Sequence, residues 1–202
     1  MTALVIDAHP NPDSLTAALA RSYAEGFGDA RVLALRELDF DVHMRFGYTQ
    51  RMPTEPDLAE ARAALHDAAH IAIVTPVWWR STPALLKGFL DRALLPQQEY
   101  RYRSNGVPEG LLAGRSGRVV ASADTPALLA PVLPGTRLAA LRGGTLGLCG
   151  IKPLRMRYLG PVRSSSEETR RGWLELVAHD GQRDAQRAPA DPARREAPVT
   201  AV

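Results

Sequence analysis

The sequence predicts one α/β domain, a parallel five-stranded sheet with helices on both faces. Short apolar runs alternate with amphipathic stretches along the chain, and this alternation is typical of parallel sheets built from strand–helix–strand units. A length of 202 residues suits one such domain, and an apolar content of 45% is typical of globular chains. Strand order 2-1-3-4-5 is the natural expectation for this class.

The first strand and the helix after it predict an anion-binding corner. Thr2–Asp7 is apolar, and the residues between it and Ser14 are rich in Pro, Asn and Asp, which favours a loop. Ser14 can cap the following helix, whose first N–H groups then face the loop. His9 lies in this loop, where a lone histidine is more often an ordinary polar residue than a ligand contact.

The next stretch contains a strand, a long loop and a helix. Arg31–Leu38 alternates and predicts a second strand, and Asp57–Ala69 has a helical apolar face. The irregular residues Asp39–Pro56 between them include several aromatics, which argues against disorder. Loops of this length in compact domains are usually functional.

The central strand leads into an unusual loop. Ile71–Val74 predicts a buried strand, Pro76 ends it, and Pro83 suits the start of a helix. Trp78 and Trp79 lie between the two prolines. They either form a wedge under the helix or line a ligand site, because ligands of open α/β sheets bind at the carboxyl ends of the strands.

The second half of the chain predicts two more strands. Gly117–Ala123 is the fourth, followed by Asp124, which either caps a helix or forms a wall of the ligand site. Arg137–Arg142 predicts a short helix that Gly143 and Gly144 end. We expect Thr145–Cys149 to be the fifth strand, with residues 154–160 as an extension at the sheet edge.

The carboxyl-terminal part predicts a closing helix and a tail. Ser164–Ala178 has a helical pattern, with Ser166 as a capping residue. Residues 182–202 contain almost no large apolar side chain, so we expect a flexible tail beyond a domain of residues 1–181.

Composition argues against several classes of protein. No apolar run is long enough to span a membrane, and the first residues lack the pattern of a signal peptide. The single Cys149 fits a reducing cytoplasm. A net charge of +3 with scattered arginines does not favour nucleic-acid binding. We expect no metal site and no integral membrane association.

Three motifs resemble the flavodoxin-like NAD(P)H:quinone reductases. Residues 76–92 read PVWWRSTPALLKGFLDR and match that family's pattern P-x-W-W/Y-x-x-P-A-x-L-K-G-x-x-D-R. His9, Pro10 and Ser14 match its H-P-x-x-x-S, and residues 146–153 match its L-G-F-C-G-I-K-P. The resemblance covers about residues 3–181. It makes a ligand contact, rather than an ordinary polar residue, the favoured interpretation of His9.

The resemblance implies a flavin enzyme. It would transfer hydride from NAD(P)H to a quinone or similar acceptor by a ping-pong mechanism, as a homodimer that completes the pocket across its interface. FAD is favoured over FMN, because the long loops and His9 leave room for a pyrophosphate. The residues expected to hold the flavin are His9, Ser14, Leu15, Thr16, Pro76, Val77, Trp78, Trp79, Ser122, Asp124 and Thr125.

One departure from the family leaves other functions open. Relatives carry Tyr, and often His, shortly after the fourth strand, where this chain has apolar Ala127–Ala130. Tyr48 or Tyr100 could replace them. Otherwise the protein is a non-catalytic or regulatory flavin-binding subunit that serves a transporter, or a flavodoxin-like electron carrier, although the carrier usually has an acidic surface.

Overall fold

The computed structural model describes residues 2–189, in which five parallel strands form one sheet in the order β2-β1-β3-β6-β7. Each strand pairs in parallel with its neighbour, so all the carboxyl ends lie at one edge. The predicted parallel five-stranded α/β class and the predicted strand order are confirmed. The strands are β1 (Ala3–Asp7), β2 (Ala30–Ala34), β3 (His70–Pro76), β6 (Ser116–Ser122) and β7 (Leu154–Leu159).

Helices cover both faces of this sheet. The helices are α1 (Leu15–Phe27), α2 (Pro56–Asp67), α3 (Ala84–Ala93) and α4 (Glu167–Ala185). Helices α1 and α4 pack together on one face, and α2 and α3 cover the other. None of the helices in the described residues is both long and apolar enough to cross a membrane.

Helices α1 and α4 approach so closely that two positions admit only glycine. A Cβ on Gly26 would lie 2.0 Å from the carbonyl oxygen of Ala178, and one on Gly181 would lie 2.4 Å from that of Tyr23. Both distances are far below a van der Waals contact. Backbone therefore packs directly against backbone where the two helices cross.

The prediction for the fifth strand is wrong. Residues 145–147 belong to a π-helical segment, Ala140–Gly147, which runs through the two glycines that were expected to end a helix, and Leu148 and Cys149 follow in a turn. Both glycines are exposed, while Leu141 and Leu146 of this segment are buried. Tertiary packing of the leucines therefore overrides the low helix propensity of glycine.

The true fifth strand is β7, which the sequence suggested only as an edge extension. Leu154, Met156 and Tyr158 pack against the α2–α3 side of the core. Arg155 and Arg157 alternate with them and point toward α4, where they form ion pairs with Asp184 and Asp180 respectively. The strand is half-buried, and the charges on its α4 face are paired with carboxylates of that helix.

Other boundaries also shift. β2 ends at Ala34 and a short 3₁₀ turn, Leu35–Glu37, replaces the end of the predicted strand. A two-stranded antiparallel sheet, β4 (Tyr100–Tyr102) with β5 (Pro108–Gly110), lies between α3 and β6. The long stretch before α2 is irregular, as expected.

Helix α4 continues past the predicted domain boundary. Ser166 caps its start by accepting a hydrogen bond of 3.1 Å from the Thr169 N–H, as predicted. The predicted tail begins at Gln182, inside this helix, and Asp184 is fully buried. The last part of the predicted tail, residues 190–202, lies outside the described residues.

Asp184 belongs to a buried polar group at the amino ends of the strands. We define this amino-end cluster as Tyr23, His70, Ser116, Arg118 and Asp184. The Tyr23 hydroxyl donates to Asp184 (2.7 Å) and lies 2.8 Å from His70 Nε2, and His70 Nδ1 lies 2.8 Å from the Ser116 hydroxyl. Arg118 donates two hydrogen bonds to Asp184, of 2.5 and 3.0 Å. Each member therefore has a partner.

Candidate functional site

The carboxyl ends of β1, β3 and β6 enclose a cavity of about 220 Å³, which we call the loop cavity. It lies where ligands of open α/β sheets bind. Nine of the eleven residues expected at the site line it, namely His9, Ser14, Leu15, Thr16, Pro76, Val77, Trp78, Ser122 and Asp124. Trp79 and Thr125 are not among its lining residues.

The first wall is the beginning of α1. Ser14 Oγ accepts a hydrogen bond of 3.1 Å from the Ala17 N–H, which fixes the first turn. Within the described residues, the N–H groups of Leu15 and Thr16 donate to no protein acceptor. Unpaired N–H groups at a helix start attract anions, and the helix dipole adds to this attraction. This wall is therefore suited to a phosphate group.

His9 adds a further donor to the same wall. Its Nδ1 accepts a hydrogen bond of 3.0 Å from the Asn11 N–H, so the neutral ring carries its proton on Nε2. Burial lowers the pKa of His9, which favours this neutral form. The ring therefore offers an Nε2–H donor without needing a charge.

A buried ion pair holds the His9 loop. Asp7, the last residue of β1, accepts a hydrogen bond of 3.1 Å from the His9 N–H and pairs with Arg36 at 2.5 Å. Arg36 also donates to the His9 carbonyl oxygen at 3.3 Å. The loop is thus fixed from the ends of both β1 and β2. No pattern in the sequence indicated the role of Arg36.

The second wall is the double-tryptophan loop. The Val77 N–H donates to the Ser122 carbonyl oxygen at 2.8 Å, and the Trp78 N–H donates to that of Ser81 at 3.0 Å. These two N–H groups are therefore engaged, which leaves the Val77 carbonyl as a backbone group of this wall without a partner within residues 2–189. Trp78 contacts His9 edge-on, with ring centroids 5.5 Å apart.

Trp79 lies on a tight turn outside the cavity. Trp78 and Ser81 exchange both backbone hydrogen bonds, and the two residues between them have φ values of +51° (Trp79) and +61° (Arg80). These values correspond to a type I′ turn, which favours Gly and Asn. The Trp79 side chain is fully exposed. It therefore neither lines the loop cavity nor forms a wedge under α3.

The third wall follows β6. Ser122 Oγ lies 3.5 Å from Thr16 Oγ1, which joins this wall to α1. Asp124 accepts a hydrogen bond of 2.8 Å from the Arg163 N–H, and turns rather than a helix follow it, so the alternative reading of Asp124 as a helix cap is wrong. Thr125 lies beside this wall, where its carbonyl oxygen accepts a hydrogen bond of 3.0 Å from the Tyr158 hydroxyl.

Two residues that the sequence did not indicate complete the lining. Ala123 and Val162 face the cavity, and the Val162 N–H donates to the Ala123 carbonyl oxygen at 2.9 Å. Val162 follows β7, so misplacing the fifth strand hid it. The alternation of β7 is the signal that would have found it.

The tyrosines suggested as replacements for the family's Tyr and His lie elsewhere. Tyr48 and Tyr100 line a different cavity, of about 170 Å³, next to buried Cys149. Burial raises the pKa of Tyr100 to about 12 and that of the Cys149 thiol to about 12. Cys149 is thus a small buried apolar residue, as expected, and neither phenol reaches the loop cavity within this chain.

Comparison with known proteins places these features in context. The family model Flavodoxin_2, described as having a flavodoxin-like fold, matches residues 1–178. The crystal structure of Smu.1420 from Streptococcus mutans superposes with a TM-score of 0.82 at 26% identity, covering 91% of this chain and 100% of the other.

Two curated relatives match over shorter spans. An uncharacterized NAD(P)H oxidoreductase of Haemophilus influenzae is 26% identical over 128 residues, which are 62% of this chain and 63% of that protein. An FMN-dependent NADH:quinone oxidoreductase of Bordetella petrii is 32% identical over 119 residues, 59% of this chain and 51% of the other. The chain thus spans between a half and two thirds of the length of these relatives.

Proposed function

Because this chain belongs to the Flavodoxin_2 family, of flavodoxin-like fold, we propose that it is a flavin-dependent NAD(P)H oxidoreductase that reduces quinones. The names of the relatives from H. influenzae and B. petrii support this activity. The observation that carries the proposal is the loop cavity, into which the donors of His9, Leu15 and Thr16 are left free for a ligand.

The residues of the loop cavity fit the two chemical parts of a flavin. The phosphate would lie at the start of α1, held by the N–H groups of Leu15 and Thr16 and by His9 Nε2–H. The flat ring needs an apolar face and a few polar groups at its edge. Trp78 supplies the face, and the Val77 carbonyl is a free acceptor beside it.

We assign FMN rather than FAD to this site. The relative from B. petrii is named as FMN-dependent. A cavity of about 220 Å³ is small for a ligand site, and its donors are concentrated at one helix start, which suits one phosphate. This assignment replaces the preference for FAD drawn from the sequence.

When bound, the flavin would supply the redox chemistry, accepting a hydride from NAD(P)H and then reducing an acceptor at the same place. The protein's own part is to bind and to orient. The ion pair of Asp7 and Arg36 holds His9 in position, and Ser14 fixes the first turn of α1. Donor and acceptor would use the site in turn, which is a ping-pong order.

The proposal includes a homodimer and a cytoplasmic location. Phe46 and Tyr48 of the long loop before α2 are exposed, and a second copy of the chain would cover large apolar side chains of this kind. Light scattering coupled to gel filtration measures the mass directly, and a monomer at working concentration would refute the dimer.

A non-catalytic flavin-binding subunit remains the second candidate. The observation in its favour is that the residues from Thr125 to Thr136, where relatives carry Tyr and His, include neither. Such a subunit would bind the flavin but would not let NAD(P)H reduce it. An electron carrier would instead exchange single electrons.

The first experiment is a visible spectrum of the purified protein, followed by anaerobic addition of NADPH and, separately, NADH. Bleaching of a bound flavin within a single turnover, and its recovery on adding a quinone, is the expected result. A protein that binds neither FMN nor FAD would refute the whole proposal. Tight binding of flavin without bleaching by either nucleotide would refute the enzyme and favour the non-catalytic subunit.

A further inference from the structure

A buried carboxylate lies directly behind the wall that is suited to a phosphate. Asp7 ends β1, its side chain is only 2% exposed, and its Oδ1 accepts a hydrogen bond of 3.1 Å from the His9 N–H. His9 in turn lines the loop cavity together with the start of α1. The N–H groups of a helix start attract anions. A negative charge one hydrogen bond behind them opposes the binding that the rest of this wall favours.

Arg36 supplies the opposite charge from the 3₁₀ turn that follows β2. Its Nη1 lies 2.5 Å from Asp7 Oδ2 and donates to the His9 carbonyl oxygen at 3.3 Å. The Arg36 side chain is 14% exposed, so dissolved salt screens this ion pair only weakly. Neither Asp7 nor Arg36 is among the lining residues of the loop cavity. The pair therefore acts on a ligand through its charges and through His9, without touching the ligand.

Both charges act on the ring of His9, and they act in opposite directions. Burial is the largest influence on the pKa of His9, which it lowers. The negative charge of Asp7 raises that pKa, and the positive charge of Arg36 lowers it. An anion bound beside His9 would respond to the same two charges, because the carboxylate repels it and the guanidinium attracts it.

We propose that Asp7 and Arg36 set the charge of the phosphate-binding wall, and that Arg36, by cancelling the charge of Asp7, lets the site select phosphorylated flavins over riboflavin. This inference rests on the proposed function, in which the phosphate lies at the start of α1. Arg36 is a positioning residue, because it acts through Asp7 and His9. If the pair only held the loop in place, losing either partner would have the same effect. A balance of charge gives the two partners opposite effects.

The test separates charge from structure with three variants. Arg36→Met removes the positive charge, Asp7→Asn removes the negative one and keeps an oxygen that can accept from the His9 N–H, and D7N/R36M removes both. The control is Arg31→Met, which removes an exposed arginine of β2, paired with Glu60, and changes the net charge by the same amount as Arg36→Met. The probes are FMN and riboflavin, which lacks the phosphate. Each is titrated by the change in flavin fluorescence on binding.

We expect Arg36→Met to weaken FMN binding by about tenfold and Asp7→Asn to strengthen it by about threefold, because each change removes one unit charge near the phosphate. D7N/R36M should lie within about threefold of the wild type, since both charges are gone. Riboflavin should change by less than about twofold in every variant, and Arg31→Met should leave both ligands unaffected.

A purely structural pair would give a different pattern. Weaker FMN binding in both single variants would overturn the proposal, and so would a double variant as weak as Arg36→Met. Equal losses for FMN and riboflavin would overturn it as well, because the phosphate would then have no part in the effect.

A second readout needs no flavin and separates this inference from the proposed function. The pKa of the His9 imidazole, followed by NMR, should rise in Arg36→Met and fall in Asp7→Asn. Inorganic phosphate should shift the His9 signals of the wild type more than those of Arg36→Met. A His9 pKa that moves in the same direction in both variants would overturn the inference. A protein that binds FMN with the expected pattern but is not bleached by NADPH would refute the enzyme and support the charge balance.

Discussion

Strands β3 and β6 carry polar residues at both ends, and the two ends differ in how those residues are satisfied. At the amino ends, His70 and Ser116 are joined to Tyr23 and Asp184 by hydrogen bonds within the protein. At the carboxyl ends, Ser122 lines the loop cavity, where donors of α1 are left free. Polar residues at a strand end therefore do not by themselves mark a site, whereas unpaired donors around a cavity do.

The amino-end cluster is internally consistent in its protonation. Because the Tyr23 hydroxyl donates to Asp184, it accepts from His70 Nε2–H, and His70 Nδ1 accepts from Ser116. Burial is the main cause that raises the pKa of Tyr23 and lowers the pKa of His70 to about 4. His70 is therefore neutral, and the charges of the cluster lie on Arg118 and Asp184. This arrangement is suited to stabilising the fold rather than to catalysis.

Removing Asp184 is the strongest way to test this difference. Asp184→Ala removes the acceptor of the Tyr23 hydroxyl and two hydrogen bonds of the buried Arg118, which keeps only its ion pair with Asp180 at 3.3 Å. We expect the free energy of unfolding to fall by about 3–5 kcal/mol. Urea denaturation measures it. Glu60→Ala, which removes an exposed partner of Arg31, is the control and should cost less than about 1 kcal/mol. Equal losses of unfolding free energy in the two variants would show that the cluster stabilises the fold no more than an exposed ion pair does.

The pH dependence of stability should reveal the same cluster. The pKa of His70 is lower in the folded protein than in the unfolded chain, so below about pH 6.5 only the unfolded state takes up the proton. Stability should therefore fall between about pH 6.5 and 4, by at most about 1.4 kcal/mol per pH unit from this group.

The variant His70→Gln should lose this dependence of the free energy of unfolding on pH, as measured by urea denaturation at a series of pH values. His9 titrates in the same direction, because burial lowers its pKa too, and His9→Gln should keep most of the slope since His9 is only partly buried. A His70→Gln variant with the wild-type slope would contradict the assignment.

Two serines in the same structural role separate stability from ligand binding. Ser14 and Ser166 each cap a helix by accepting a hydrogen bond of 3.1 Å. Each change to Ala should cost about 1 kcal/mol of stability. Only Ser14→Ala should also weaken flavin binding, by several-fold in a fluorescence titration, because it loosens the helix start that lines the cavity. Equal flavin affinities in the two variants would argue against a phosphate at α1.

The smallest expected effect has the opposite sign. Trp79 has a φ of +51° on a type I′ turn, and Trp79→Gly relieves that strain, so we expect thermal stability to rise by about 0.5–1 kcal/mol. A loss of stability would show that Trp79 is held by contacts that its full exposure does not suggest.

The sequence predicted the architecture and most of the residues that line the loop cavity, because both depend on local signals. Apolar runs located the first four strands, and motifs such as Pro76–Trp79 located the loops at their carboxyl ends. The role of Arg36 could not be foreseen, since its partner Asp7 is 29 positions away.

The two main errors share one physical cause. Arg155 and Arg157 made β7 look like an exposed edge, and Asp180 and Asp184 lie near or beyond the predicted start of the tail. Arg155 and Arg157 are half-buried and form ion pairs with the buried Asp184 and Asp180 respectively. These charged residues find their partners only when the fold brings β7 and α4 together. The periodicity of the sequence cannot show such a pairing.

The crossing of α1 and α4 at Gly26 and Gly181 has a consequence for evolution and engineering. Helix α1 begins at the cavity and ends near this crossing, so its axis is fixed at a point far from any ligand. A single methyl group added there would tilt the helix and displace its first turn, which lines the loop cavity. Mutational surveys that score only flavin binding should therefore find sensitive positions in the backbone contact between these helices, well outside the pocket.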